Sequence, residues 1–187
     1  MLLRKAYRFR IYPDATQEEL FRRTIGCSRL VYNLCLDQKI LERERSRPRK
    51  LSAYDQMKEL TALKEECEFL YEVPNHPLQQ AIHDLHKAFV NFFEGRASFP
   101  TFRKKGQNGS FRYPDSKQVM FEEDRIFLPK AGWTRIVMHR PIVGRHRLRD
   151  RGRMVRVGAD GAGSDDSGQP RSRRLDRPRK RSGDRFL

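Results

Sequence analysis

The sequence predicts an α+β fold in which helices are inserted between an N-terminal strand and a group of later strands. Apolar residues alternate with basic ones from Lys5 to Ile11, which is the period of a half-buried strand. Apolar residues then recur at helical spacing up to residue 98, and short alternating segments begin after Phe99. Packing of these elements in two layers predicts a small β-barrel that the first strand closes.

Capping and turn residues divide the chain into these elements. Pro13 ends the first strand, because proline has no N–H for a sheet ladder. The first helix begins at a capping pair, either Asp14 with Gln17 or Thr16 with Glu19, and the second at Ser52 with Asp55. A third helix begins near Pro77 and ends at Gly95. The predicted strands after it lie at 111–113, 118–121, 125–128 and 133–139.

The overall charge points to a nucleic-acid partner. The chain has 187 residues, and its 40 Lys and Arg against 24 Asp and Glu give a net charge of +16. No segment approaches the run of about 20 apolar residues that a membrane-spanning helix needs. No secretory signal precedes Arg4, and the three cysteines show no CxxC spacing. We therefore expect a cytoplasmic, nucleoid-associated protein with no membrane partner.

The charge is concentrated towards the end of the chain. Residues 1–144 carry 26 basic and 18 acidic residues, whereas residues 145–187 carry 14 basic and 6 acidic ones. This last segment is rich in Arg, Gly, Asp, Ser and Pro and has no Glu, Ile, Tyr, Trp, Asn or Thr. Such a composition buries too little apolar surface to offset the entropy of ordering. We predict that residues 145–187 form a disordered Arg-rich tail.

Basic and aromatic residues interleave in two places, a pattern that suits phosphate contact and stacking on unpaired bases. The first place follows the Phe-Pro-x-Phe segment at 99–102 and comprises Arg103, Lys104, Lys105, Arg112 and Tyr113. The second is the outward face of the first strand and comprises Lys5, Arg8 and Arg10. The alternative interpretations are a solvated loop over two core phenylalanines and a charged edge that prevents aggregation.

The third helix carries further candidates. Three polar residues lie at its start: Asn75, His76 and Gln79. A helix N-terminus attracts phosphate and amide side chains can read adenine edges, although capping alone would also explain these residues. His83 and His86 share a helical face, but nothing supplies a third ligand at a meaningful spacing, so no metal site is predicted. Trp133 is predicted to lie in the barrel core rather than to form a stacking platform.

Six segments together resemble a known family. They are 5–13, Val31-Tyr32-Asn33, Leu78-Gln79-Gln80-Ala81, Ala88-Phe89-x-Asn91-Phe92-Phe93, Phe99-Pro100-x-Phe102-Arg103-Lys104-Lys105 and Leu128-Pro129-Lys130-x-Gly132-Trp133. In this order and spacing, over residues 4–144, they resemble the N-terminal half of the TnpB (OrfB-type) proteins of insertion sequences.

The resemblance implies a fold and a function. It implies a wedge-type barrel whose first strand lies in residues 1–13, a helical recognition insertion at 14–98, described in transposases as a helix-turn-helix region, and the remaining barrel strands at 99–144. Family members are RNA-guided DNA endonucleases that bind an RNA from the transposon end and recognise a short motif beside the DNA target. Tyr54 and the start of the third helix correspond to parts that face this DNA. A RuvC-like nuclease domain and a zinc ribbon follow in the family.

The tail does not match the nuclease domain that the family has there. Gly158-Ala159-Asp160-Gly161 is only superficially similar to the first nuclease motif, because no strand is predicted before it. Asp160, Asp165 and Asp166 are therefore not predicted to be metal ligands, since such carboxylates need rigid elements. The resemblance and the ordinary composition end together near Gly144, and a frameshift is the simplest explanation. On this hypothesis the tail has no selected role, the alternative being binding of nucleic acid without sequence preference.

The sequence thus predicts a nucleic-acid-binding fragment that is not an enzyme and has no cofactor, with magnesium and zinc expected only in full-length relatives. Its predicted partners are the transposon-end guide RNA and DNA. An open alternative is that it also binds a transposase, or the missing nuclease half supplied as a separate chain. A stand-alone helix-turn-helix DNA-binding transposase protein is the main alternative function. An active nuclease and a fragment without remaining function are further alternatives.

Overall fold

The fold is α+β, with a helical unit and an antiparallel sheet. The computed structural model describes residues 7–47, 49–106, 109–139 and 155–158. The helices are α1 (Ala15–Glu44), α2 (Ala53–Glu66), α3 (Phe69–Glu72) and α4 (Asn75–Phe93), with a 3₁₀ turn at Ser116–Gln118. The strands are β1 (Arg10–Tyr12), β2 (Ser110–Tyr113), β3 (Met120–Glu122), β4 (Arg125–Leu128), β5 (Gly132–Val137) and β6 (Val155–Gly158). The predicted order of a strand, helices and later strands is confirmed.

Capping boxes begin the first two helices at the predicted residues. The Asp14 carboxylate accepts the backbone N–H of Gln17 at 2.8 Å, and the Gln17 side chain accepts the N–H of Asp14 at 3.2 Å. Ser52 and Asp55 make the same reciprocal pair before α2. Of the two capping pairs proposed for the first helix, Asp14 with Gln17 is therefore the one formed. The third predicted helix is α4, which begins two residues before Pro77.

Helices α1, α2 and α4 enclose the first hydrophobic core. The apolar stripe predicted for the third helix supplies Leu78, Ile82 and Leu85, all fully buried. Val31 and Leu36 of α1 pack against them. The short helix α3, which the sequence did not predict, adds the fully buried Leu70. This core holds α4 against α1 along most of its length, and so fixes where the polar face of α4 lies.

The second core lies between α1 and the sheet. The sheet has the order β1-β5-β4-β3 and is antiparallel throughout. The ring of Phe21 on α1 packs against that of Phe111 on β2, with centroids 5.8 Å apart. Ile126, Leu128 and Ile136 cover this core from the sheet. Among the described residues the sheet is open, with β1 and β3 at its edges, so the predicted closure of a barrel is not formed there.

A strand occurs within the segment predicted to be disordered. β6 pairs antiparallel with β2, and Phe111 lies opposite Val157 in the register. Val157 is buried in the second core, which explains why this short apolar segment orders where its arginine-rich surroundings predict coil. The prediction that no strand precedes Asp160 was therefore wrong. Residues 145–154 and 159–187, with Asp160, Asp165 and Asp166, lie outside the described residues.

None of the helices in the described part of the chain is long and apolar enough to cross a membrane.

Candidate nucleic-acid interface

The loop that follows α4 is tied to α1 by one asparagine. The Nδ2 of Asn33 donates to the backbone oxygen of Arg103 at 3.0 Å, and its Oδ1 accepts the N–H of Arg103 at 2.8 Å. The ring of Phe99 packs edge-on against Phe89 and Phe92, with centroids 5.5 and 5.3 Å apart. The segment from Phe99 to Arg103 is thus held at both of these residues, and Lys104 and Lys105, which follow it, are exposed to solvent.

One carboxylate holds the two arginines of the predicted site. Asp84 on α4 pairs with Arg103 at 3.7 Å and with Arg112 on β2. The guanidinium of Arg103 also lies 3.8 Å above the ring centroid of Tyr32, which is buried on α1. The structure therefore brings together four of the predicted residues on one surface, which we call the basic ridge: Arg103, Lys104, Lys105 and Arg112.

Tyr113 does not belong to this surface. It is 1% exposed, and its hydroxyl donates to the backbone oxygen of Pro129 at 3.2 Å. Burial raises the pKa of this phenol well above its usual value. The prediction that Tyr113 contacts nucleic acid was wrong, because alternate residues of a strand face opposite sides and Tyr113 faces the core. Phe102, which is exposed beside Arg103, is the available aromatic ring that sequence reasoning missed.

The candidates on the first strand lie on its exposed face. Arg8 and Arg10 are exposed, and the guanidinium of Arg10 lies 5.5 Å from the ring centroid of Tyr12. Lys5 lies outside the described residues. The edge position of β1 agrees equally with a charged edge that blocks pairing with another chain. Binding by these arginines therefore remains a prediction.

A second group of cations surrounds the start of α4. Lys64 of α2 donates to the side-chain oxygen of Asn75, and its ammonium lies 5.6 Å from the ring centroid of Tyr71. Lys130 has a φ of 66°, which few side chains adopt, and donates to the backbone oxygen of Tyr71. Burial, and then the charge of Lys130, lowers the pKa of Lys64. Sequence reasoning missed both lysines, because they come from elements remote from α4 in the chain.

The remaining candidates lie at the starts of two different helices. His76 and Gln79 are half-buried in the first turns of α4. Tyr54, in the first turn of α2, is 66% exposed, and the ammonium of Lys58 lies 4.7 Å from its ring centroid. An exposed tyrosine with a cation over its face is available for stacking on a base.

Part of the chain is similar in sequence to known proteins. Residues 1–47 match the helix-turn-helix domain of OrfB proteins. A protein of Escherichia coli (strain K12) with the name RNA-guided DNA endonuclease InsQ is 39% identical over 143 residues, which make up 75% of this chain and 35% of that protein. The chain is similar to the N-terminal part of OrfB (TnpB-type) proteins. A Streptomyces pristinaespiralis protein named RNA-guided DNA endonuclease is 37% identical over 117 residues, 61% of this chain and 29% of that protein.

These comparisons confirm the resemblance that the six sequence segments indicate. The chain spans about a third of the length of the curated relatives that it matches, 35% of one and 29% of the other. Within residues 1–47, the described part of the chain forms β1 and α1, and α1 runs unbroken for 30 residues. The described residues of the matched range therefore contain one helix rather than two helices joined by a tight turn.

Among its described residues, the chain has no cluster of three His, Cys, Asp or Glu side chains that could hold a metal ion. The Nε2–H of His86 instead donates to Oε1 of Gln56 at 2.9 Å. Cys35 is buried on α1, and burial raises the pKa of its thiol to about 12. Cys35 therefore packs in the core as a neutral thiol.

His86 gives the helical unit a dependence on pH. Burial lowers its pKa to about 4, and the charges of Lys39 and His83 act in the same direction. In the unfolded chain this imidazole binds a proton below about pH 6.5, whereas in the folded chain it stays neutral until the pH falls to about 4. The free energy of unfolding therefore has its full value above about pH 6.5 and declines as pH falls towards 4. The free energy of unfolding should therefore fall between about pH 7.5 and pH 5. We expect it to fall by about 1 kcal/mol less in the variant His86→Gln. Urea unfolding at the two pH values measures this difference, and identical pH dependence of the two proteins would contradict it.

Proposed function

We propose that this chain is a nucleic-acid-binding part of a TnpB-type RNA-guided DNA endonuclease and that it binds RNA and DNA without cleaving either. The observation that carries the proposal is the basic ridge, in which Asn33 fixes the backbone at Arg103. Asp84 pairs with both arginines, Arg103 and Arg112. Lys104 and Lys105 are exposed beside them and present their positive charge to phosphate groups.

The way the ridge is held favours binding. Ordering a loop upon binding reduces affinity, because conformational entropy is lost at that moment. Here the two hydrogen bonds from Asn33 fix the backbone at Arg103, and the packing of Phe99 holds the residues before it. Lys104 and Lys105 follow directly after this held backbone, so less backbone entropy is lost when they contact phosphate, and the exposed ring of Phe102 is available to stack on a base.

The other predicted contacts extend the proposal. We propose that Tyr54 and the start of α4 bind the duplex DNA beside the target. The side chains that would read the bases are those of Asn75, His76 and Gln79. Lys64 and Lys130 are the neighbouring cations. We assign the transposon-end RNA to the basic ridge and to Arg8, Arg10 and Lys5. A nuclease half or a transposase supplied in trans would complete the assembly.

A stand-alone helix-turn-helix DNA-binding protein is the second candidate. The description of the family that matches residues 1–47 favours it. The long unbroken α1, followed by residues 45–52 before α2, favours the first candidate, since a helix-turn-helix uses a turn of about 3–4 residues. A hairpin RNA and a duplex DNA of equal length separate the two. Tighter binding of the hairpin supports the first candidate, and tighter binding of the duplex supports the second.

The double variant Lys104→Gln/Lys105→Gln tests the basic ridge. We expect it to bind the hairpin RNA about tenfold more weakly and to reduce the slope of log K against log salt by about 1.4–1.8, because each phosphate contact contributes about 0.7–0.9. Fluorescence anisotropy at several salt concentrations measures both quantities.

The matched control is Lys50→Gln/Lys117→Gln, which removes the same charge from exposed positions outside the ridge. It should leave the slope nearly unchanged. An equal loss in the control would show that the net charge, not the ridge, attracts RNA, and the proposal would then fail.

A further inference from the structure

The outward face of the four-stranded sheet carries aromatic and basic side chains instead of the polar mixture usual on a solvated sheet. In each strand the residues that alternate with the core residues point to this side. They are Arg10 and Tyr12 on β1, Met120 and Glu122 on β3, Arg125 and Phe127 on β4, and Trp133, Arg135 and Val137 on β5. We call this surface the open sheet face. It lies on the far side of the sheet from α1.

The register arranges these side chains in rows. Phe127 lies opposite Trp133, and Met120 lies opposite Phe127, so three apolar side chains cross the sheet in one row. In the next row, Arg135 lies between Arg125 and Tyr12. Rows two residues apart along a strand are separated by about 6.5–7 Å. Ring faces and guanidinium groups therefore alternate at a distance comparable to that between successive nucleotides of an extended strand.

The aromatic rings of this face are accessible. Trp133 is 38% exposed and Tyr12 47% exposed, which corrects the prediction that Trp133 lies in the barrel core. The rings of Phe127 and Trp133 meet edge to face with centroids 5.5 Å apart, so at least one ring face remains uncovered. Exposed apolar surface of this kind, bordered by charged residues, marks an interaction site.

The charge of the open sheet face indicates the class of partner. On this side of the sheet the strands carry one acidic residue, Glu122, and three basic ones, Arg10, Arg125 and Arg135. The turn between β3 and β4 adds Glu123 and Asp124, and Asp124 lies 3.6 Å from Arg125, so the positive charge is greatest at the β1 and β5 end. A positive surface with uncovered aromatic rings suits unpaired nucleotides, since a duplex offers no free base faces.

We propose that the open sheet face binds unpaired nucleotides, with bases stacked on Trp133, Phe127 and Tyr12 and phosphates held by Arg10 and Arg135. This surface is separate from the basic ridge, which lies between α4, β2 and the loop after α4, but it includes Arg10, which the proposed function assigns to RNA, and to that extent the inference rests on that function. The two surfaces would hold different parts of one nucleic acid or two different molecules.

Trp133 is the only tryptophan of the chain, so its fluorescence reports directly on this face. Stacking of a base on an indole quenches its emission. We expect single-stranded oligouridylate to quench Trp133, and a blunt DNA duplex of equal length to quench it far less. Quenching by both to the same extent, or by neither, would overturn the proposal.

Two phenylalanine variants give a matched comparison. Phe127→Leu removes a ring from the open sheet face and should weaken the quenching titration about tenfold, as expected for the loss of one stacked base. Phe121→Leu removes an exposed ring of the same sheet whose partner in the register, Ile126, faces the core, so it should change the midpoint less than twofold. Equal effects of the two variants would refute the assignment.

A variant that removes a charge tests the same proposal independently, even if Phe127→Leu folds poorly. Arg135→Gln changes an exposed side chain and should weaken the same titration several-fold and lower its salt dependence. An unchanged titration would count against the proposal. The variant Lys104→Gln/Lys105→Gln should retain the quenching. Its behaviour separates a failure of the basic ridge from a failure of the open sheet face.

Discussion

Replacing Val157 by aspartate is expected to lower the free energy of unfolding by about 3 kcal/mol or more. Val157 is 4% exposed and lies in the second core with Phe21 and Phe111. No described cation faces it there to pair with a buried carboxylate, so the substitution would bury an uncompensated charge or displace β6 from β2. Urea unfolding followed by far-UV circular dichroism measures the change.

The control for this substitution is Val137→Asp. Val137 is 42% exposed on β5, so the same chemical change there should alter the free energy of unfolding by less than about 0.5 kcal/mol. If Val157→Asp were as stable as the control, β6 would not contribute to the fold. A large loss would mean that the segment around Val157 is part of the folded protein, against the hypothesis that the tail has no role.

Replacing Gln56 by alanine is expected to destabilise the helical unit by about 3 kcal/mol. Gln56 is 1% exposed on α2, and its Nε2 donates to the backbone oxygen of Cys35 at 2.9 Å and to Oε1 of Gln38 at 3.0 Å. Its Oε1 accepts from His86 on α4. One side chain thus joins three helices, and alanine leaves a cavity lined by polar groups without their partners.

Thermal and urea unfolding of Gln56→Ala test this expectation. Gln79→Ala is the matched control, because it makes the same change at a half-buried helical position for which the structure assigns no network of this kind. The control should shift stability by less than about 0.5 kcal/mol. Comparable stability of the two variants would show that the buried network contributes little, and that apolar packing alone holds α2 in place.

Local sequence was sufficient for the helices and for most of the basic ridge. The capping pairs and the apolar stripe of α4 depend on residues three or four apart, so they are readable without a structure. Arg103, Lys104 and Lys105 stand together in the chain, and their charge keeps them accessible. The partner of Arg103 was not predictable, since Asn33 is 70 residues away and is joined to it only by the packing of α1 against the loop.

The sequence by itself determined the α+β class, the helix starts, the nucleic-acid character and the family, because charge, periodicity and capping act over short distances. Only the tertiary structure decided which side of a strand meets the core. It buries Tyr113 and exposes Trp133, the reverse of the two predictions made from the sequence, because the period of a strand sets only that neighbours face opposite sides. It likewise ordered Val157, since burial against Phe111 outweighs the arginine-rich composition around it.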